Sequence, residues 1–76
     1  MRVTIYTTPE CAYCKMTKEF FRQNNISYEE RDVSTDDNAR EEMIAKSGQL
    51  SVPVIDIDGK IIIGFDEAAV KELLKL

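Results

Sequence analysis

The chain has 76 residues, 43% of them hydrophobic, with 10 Lys and Arg against 14 Asp and Glu, no His, and a formal net charge of −4. A chain of this length builds one hydrophobic core, so residues 1–76 are read as a single domain. The acidic balance argues against nucleic acid as a partner, because phosphate binding draws on Lys and Arg, and no stretch approaches the ~20 apolar residues of a membrane span.

In chain order, a first strand is expected at Val3 to Tyr6, where β-branched and aromatic residues run into Thr7, Thr8 and Pro9. A helix follows from Ala12 to about Asn24, with Met16, Phe20 and Phe21 on its apolar side and Lys15, Lys18, Glu19 and Arg22 on its wet side. ISYEERDV, residues 26–33, reads as a second strand whose apolar members are Ile26, Tyr28 and Val33. Residues 34–48 carry cap-type Ser, Thr and Asp at their start, an acidic first turn that suits the helix dipole, and Lys46 and Gly48 at their end, which predicts a second helix. Val54–Ile57 and Lys60–Ile63 flank Asp58 and Gly59, a dipeptide suited to a two-residue hairpin. A third helix is expected from the stripe Ala69, Val70, Leu73 and Leu74, with Asp66 or Gly64 at its start. The order β-α-β-α-β-β-α implies a right-handed parallel crossover and an α/β architecture, a mixed four-stranded sheet flanked by three helices. Between residues 29 and 42 seven acidic side chains (Glu29, Glu30, Asp32, Asp36, Asp37, Glu41, Glu42) face two basic ones (Arg31, Arg40), a run read as solvated surface with partner docking as the alternative.

Cys11 and Cys14 are the only cysteines. As a staple the pair would do little: closing so short a loop contributes roughly 2 kcal/mol, against ~3 for fifteen residues. MRVTIYTTPE lacks the extended apolar segment of a secretion signal, so a reducing, cytoplasmic setting is expected, where a close pair of thiols does chemistry more often than stapling. Cys11 lies in the loop leaving the first strand and Cys14 one turn into the helix. The unpaired N–H groups at that helix start favour negative charge on the Cys11 sulfur, which makes it a nucleophile toward disulfides. Cys14 is then placed to expel the product from the mixed disulfide. Half of a tetrahedral zinc site and an inert buried pair are the alternatives. Pro53 either starts the third strand or follows a cis bond that turns the Val52 backbone toward an extended substrate.

Together YTTPECAYC, SVPVI and GFDE, spaced over nearly the whole chain, resemble the glutaredoxin branch of the thioredoxin-fold proteins. The resemblance implies a thioredoxin-like fold with the first strand central beside the third, a cis Pro53 opposite Cys11, Cys11 as catalytic nucleophile and Cys14 as resolving thiol. It implies a thiol-disulfide oxidoreductase, monomeric, with no metal or tightly bound cofactor. Such an enzyme reduces disulfide-containing proteins or glutathione-mixed disulfides, and glutathione is its co-substrate. The residues that would line the glutathione site are Tyr13, Val52, Pro53, Gly64, Phe65 and Asp66, with Asp66 toward the γ-glutamyl amine and Glu67 a second candidate for that role. Ala12 stands where the family usually has proline, and Thr8 where it usually has a lysine that holds the glutathione carboxylate. A redoxin of the same chemistry, reduced by a flavoprotein of the thioredoxin-reductase type, is an alternative, although the aromatic-rich signature of that branch before the last helix is missing. An iron-sulfur or metal carrier is a further one.

Overall fold

The computed structural model describes residues 1–76 and contains β1 (Val3–Thr7), α1 (Ala12–Gln23), β2 (Glu29–Asp32), α2 (Asp37–Ser47), β3 (Val54–Ile57), β4 (Lys60–Ile63) and α3 (Glu67–Leu74). The four strands form one sheet in the order β2-β1-β3-β4. β1 runs parallel to β2 and antiparallel to β3, in register Ile5 to Glu30 and Ile5 to Ile55, and the β3-β4 hairpin pairs Ile55 with Ile62. The element order and mixed sheet are those the sequence implies, with the first strand beside the third.

Alternation along the strands divides the interior in two. Val3 and Ile5 of β1, Ile55 and Ile57 of β3 and Ile62 of β4 meet Phe20 and Phe21 of α1 and Val70 and Leu74 of α3 in one buried cluster. Tyr6 and Val54 point to the other face, against Val33 and against Ala39 and Met43 of α2. Burying each large apolar side chain stabilises the fold by roughly 1.5–3 kcal/mol.

The second face also holds charge. Lys46 donates to the Tyr6 hydroxyl at 2.9 Å and to Asp56 Oδ2 at 2.7 Å, and lies 3.1 Å from Glu42 Oε1. The Tyr6 hydroxyl donates to Glu42 at 2.8 Å, and Arg31 donates to the same carboxylate at 2.9 Å. Burial alone would lower the Lys46 ammonium, but its bonds to Asp56, Tyr6 and Glu42 outweigh that and hold it above the ordinary lysine range. Asp56 likewise resists the upward push of burial because Lys46 and the Gly59 N–H bind it, and it lies below its ordinary value. The Tyr6 hydroxyl donates to Glu42, and that bond, with Lys46 beside it, lowers the Glu42 carboxyl.

Two expectations change. The second strand is shorter than residues 26–33, and Ile26, Tyr28 and Val33 all fall outside it. β2 is an edge strand made wholly of charged residues, and its two faces are satisfied by side-chain pairing instead of apolar burial: Glu30 accepts from Thr7 and Lys18 on the α1 side, while Arg31 pairs with Glu42 on the α2 side. Ile26 packs beside the core from the turn after α1, Tyr28 stands 5.2 Å from the Phe21 ring, and Val33 is buried just past the strand. In α1 the buried stripe is Cys14, Thr17, Phe20 and Phe21, and Met16 is 52% exposed. Thr17 takes the inner position because its hydroxyl donates to the Tyr13 carbonyl at 2.7 Å, which leaves no unpaired polar atom inside.

The ends of the other elements follow their sequence signals. Asp36 caps α2 by accepting from the Ala39 N–H at 3.1 Å, and Gly48 closes it at φ +73°. Asp58 and Gly59 adopt positive φ in the hairpin turn. No helix is long and apolar enough to cross a membrane.

Candidate active site

β1 ends at the buried Thr7, and the loop Thr8, Pro9 and Glu10 carries the chain over the end of the sheet to Cys11. Cys11 has extended backbone angles and is the N-cap of α1. Its carbonyl accepts the first helical bond from Lys15 N–H at 3.2 Å, and its sulfur accepts from the Cys14 N–H at 3.0 Å. The sulfur thus occupies the place where Ser, Asp or Asn oxygens commonly satisfy an orphan helix donor. The first turn of α1 contains no acidic side chain, and Glu10, just ahead of the cap, is the acid nearest to that atom in the chain.

The two cysteines are joined as a disulfide across one helical turn, with Cα atoms 5.2 Å apart. Their exposure differs. Cys14 is 1% exposed and faces the body of the protein, whereas Cys11 is partly open to solvent. The asymmetry follows from the helix itself: Cys14 lies on the stripe with Thr17 and Phe21 that packs inward, and the cap position projects beyond the first turn.

Three segments converge on one cavity whose α1 wall is Tyr13, the residue just before Cys14. Tyr13, in the first turn of α1, is 61% exposed. The Val52-Pro53 bond is cis and Pro53 is buried just ahead of β3. The Pro53 carbonyl accepts from Gly64 N–H at 2.8 Å, which ties this loop to the end of β4, and Gly64 sits at φ +80°, a conformation that favours glycine. Beyond it, Phe65 packs its ring 5.6 Å from Phe20, and Asp66 caps α3 by accepting from Ala69 N–H at 3.2 Å.

Tyr13, Val52, Pro53, Gly64, Phe65 and Asp66, all nominated from the sequence, line one open cavity of about 330 Å3 with a seventh residue, Ile63. Ile63 escaped the sequence reading because it appeared only as the end of an apolar strand; its position next to Gly64 was the signal available. Glu67 lies elsewhere, on a neighbouring groove with Lys15, Met16 and Phe65. Thr8 is on the other flank, with Pro9, Glu10 and Ser34. Nowhere do three or more His, Cys, Asp or Glu side chains come together as a metal-binding group.

The family model for glutaredoxin matches residues 3–62. The chain is 45% identical over 73 residues to a glutaredoxin-like 8.6 kDa protein of the rubredoxin operon of Clostridium pasteurianum, covering 96% of this chain and 97% of that one. It is 38% identical over 65 residues to glutaredoxin 3 of Escherichia coli K12, covering 86% and 78%. Among solved structures it superposes on a thioredoxin-like protein with a TM-score of 0.90 at 36% identity, over 95% of this chain and 99% of that one. The fold is therefore thioredoxin-like.

Proposed function

The chain belongs to the glutaredoxin family, and from that premise we propose that it reduces disulfides through the Cys11 and Cys14 dithiol, with glutathione as its reductant. One observation carries the reading: the cap sulfur of Cys11 sits 3.0 Å from the Cys14 N–H at the positive end of α1, partly exposed, with the second sulfur buried directly behind it. In the reduced enzyme the Cys11 thiolate attacks one sulfur of the substrate disulfide. That S–S bond breaks, the leaving thiolate takes a proton from solvent, and Cys11 is left in a mixed disulfide. Cys14, once deprotonated, attacks the Cys11 sulfur and expels the second substrate thiol. Two electrons have then passed from the dithiol to the substrate, and the protein holds the Cys11–Cys14 disulfide seen here. Two reduced glutathione molecules would return it to the dithiol, leaving oxidised glutathione.

The glutathione half of the reading rests on the cavity walled by Tyr13, two residues from Cys11 in the chain. A tripeptide needs backbone partners, an apolar wall and a group for its amine. Val52, ahead of the cis bond, offers main-chain N–H and C=O groups; Tyr13 and Phe65 offer ring surface; Asp66 offers an exposed carboxylate. Protein disulfides and glutathione-mixed disulfides are both substrates in this scheme, in the cytoplasm.

The test uses the two single variants and two reductant systems. Cys11→Ser is expected to abolish turnover of hydroxyethyl disulfide and insulin, whereas Cys14→Ser is expected to trap a mixed disulfide visible by mass spectrometry. NADPH consumption is expected with glutathione plus glutathione reductase. Full activity of the Cys11 variant would refute the mechanism. Turnover with thioredoxin reductase but none at millimolar glutathione would refute the donor and leave the thiol chemistry standing.

A further inference from the structure

One peptide unit links the interior of α1 to the outer sulfur. Its nitrogen belongs to Cys14, whose N–H donates to the Cys11 sulfur at 3.0 Å, and its oxygen belongs to Tyr13, whose carbonyl accepts from the Thr17 hydroxyl at 2.7 Å. The two bonds therefore form one chain: Thr17 O–H to the Tyr13 C=O, then Cys14 N–H to sulfur. Thr17 is 0% exposed, on the inward stripe with Cys14, Phe20 and Phe21, and it is the only buried residue of α1 that carries a hydroxyl. A helix supplies such a carbonyl with the N–H four residues on, so the hydroxyl is a second donor to an oxygen that has room for two.

We propose that Thr17 is a positioning residue for the thiol chemistry: by donating to the Tyr13 carbonyl it orients and polarises the Tyr13–Cys14 peptide, and so strengthens the N–H that holds the Cys11 sulfur as thiolate. The proposal rests on the reading of Cys11 as the nucleophile. A hydrogen bond at an amide oxygen draws electron density from the nitrogen and makes its N–H the better donor. Bonds linked in this way away from water strengthen one another by roughly 10–30% each. In the dithiol form the last acceptor of the chain is an anion, where a donor counts for most. Returning a hydroxyl to the carbonyl four residues back is by itself a common way to satisfy a helical Ser or Thr, and Ser47 does the same to Met43 at 2.7 Å in α2. The difference lies in the peptide that receives the bond. In α2 it lies on the helix away from the cysteines; in α1 its other end faces the reacting atom.

The test is the ultraviolet absorbance of thiolate in the reduced protein across pH, in the wild type, Thr17→Val, Thr17→Ser and Ser47→Ala, with urea unfolding of each. The first ionisation step is assigned to Cys11 by its loss in Cys11→Ser. Valine keeps the size of Thr17 and loses the hydroxyl, whereas serine keeps the hydroxyl and leaves a methyl-sized gap. Glu10, Tyr13, Cys14 and Lys15 are the titratable neighbours of the cap in the chain, Asp66 shares the cavity of Tyr13, and Asp32 binds Ser34 on the Glu10 side; all persist in every variant. Thr17→Val should move the first midpoint up by about 0.3 pH unit, a roughly twofold fall in the ratio of thiolate to thiol. Thr17→Ser should titrate with the wild type although it unfolds more easily, and Ser47→Ala should also leave the midpoint in place. The proposal is overturned if Thr17→Val ionises with the wild type, or if the midpoint follows unfolding stability, so that the serine variant shifts as far as the valine one. An unmoved Thr17→Val beside a low wild-type midpoint removes this role alone. A wild-type sulfur that ionises only where the unfolded chain does removes the thiolate reading and this role together.

Discussion

The two faces of the central sheet do the same job with different forces. On the α1 and α3 side, nine apolar residues close over one another with no charge among them. On the α2 side five residues are buried, and Tyr6, Glu42, Lys46, Asp56 and Arg31 complete the contact through hydrogen bonds and ion pairs. The helix that carries both thiols belongs to the first face. Its position is held mainly by apolar burial, which is nearly indifferent to pH, with one ion pair from Lys18 to Glu30, while the helix remote from the chemistry is held by a cluster of groups that titrate. The difference teaches that most of the fold's sensitivity to acid lies on the face away from the nucleophile's support, with the Lys18–Glu30 pair as the exception.

Substitutions on the two faces should differ in size and in pH dependence. The largest effect is expected from Phe21→Ala, which empties the middle of the apolar face and should cost about 3–5 kcal/mol in urea unfolding, by much the same amount at acid and neutral pH. Lys46→Met takes from Asp56 its only ion-pair partner and from Glu42 one of two, Arg31 being the other. Because Lys46 keeps about a third of its side-chain exposure, a loss of about 1–3 kcal/mol is expected at neutral pH, less than for a fully buried pair. That loss should shrink in acid as the two carboxylates take up protons.

The wild-type chain should show the matching pH profile. Glu42, Asp56 and Glu30 have folded-state values below their ordinary ones, Glu30 chiefly through its bond from Lys18, so their contribution is complete above the ordinary values of 4.5 and 3.8 and disappears as pH falls below them. Lys46 and Tyr6 lie above their ordinary values, Tyr6 because burial disfavours its phenolate, so their contribution is complete below 10.0 and declines at more alkaline pH. Thermal melts from pH 2 to 11 should therefore give a plateau with both flanks falling, and in Lys46→Met both flanks should flatten. A profile unchanged by that substitution would sink the contrast between the faces.

A smaller effect is expected of Asp66→Ala, about 1 kcal/mol from the lost α3 cap, together with a raised Michaelis constant for glutathione-mixed disulfides and an unchanged one for a disulfide lacking the tripeptide. A merely structural Asp66 would leave that ratio alone. The smallest is Met16→Lys, which should change stability by no more than about 0.5 kcal/mol because the side chain is already in solvent.

How far the sequence reveals this molecule follows the same division of forces. Where one local rule decides, it was legible: Asp36 and Gly48 bracket α2, Asp58 and Gly59 turn the hairpin, and Asp66 caps α3. Where burial is shared among distant segments, it was not. ISYEERDV alternates weakly because β2 gets its neighbours through Lys18, Thr7 and Glu42, none of which is near it in sequence. Met16 looks like a core residue by type, yet the inward stripe of α1 is set by Cys14 and Phe21, and Thr17 completes it once Tyr13 supplies a carbonyl. The polar cluster around Lys46 was also invisible, since its members are forty residues apart between Tyr6 and Lys46. The residues beside the cysteines were nominated by family resemblance, and the structure gathers them around one cavity. Their roles toward glutathione are what the variants above address.

The most direct test is the ultraviolet absorbance of thiolate in the reduced protein, followed across pH in the native chain, in the chain unfolded by guanidinium, and in Cys11→Ser. The account predicts a native thiolate signal at neutral pH that is absent from the other two. A native signal that emerges only at the alkaline pH where the unfolded chain ionises would contradict it, because the amide and dipole at the start of α1 would then be doing nothing for the sulfur they face.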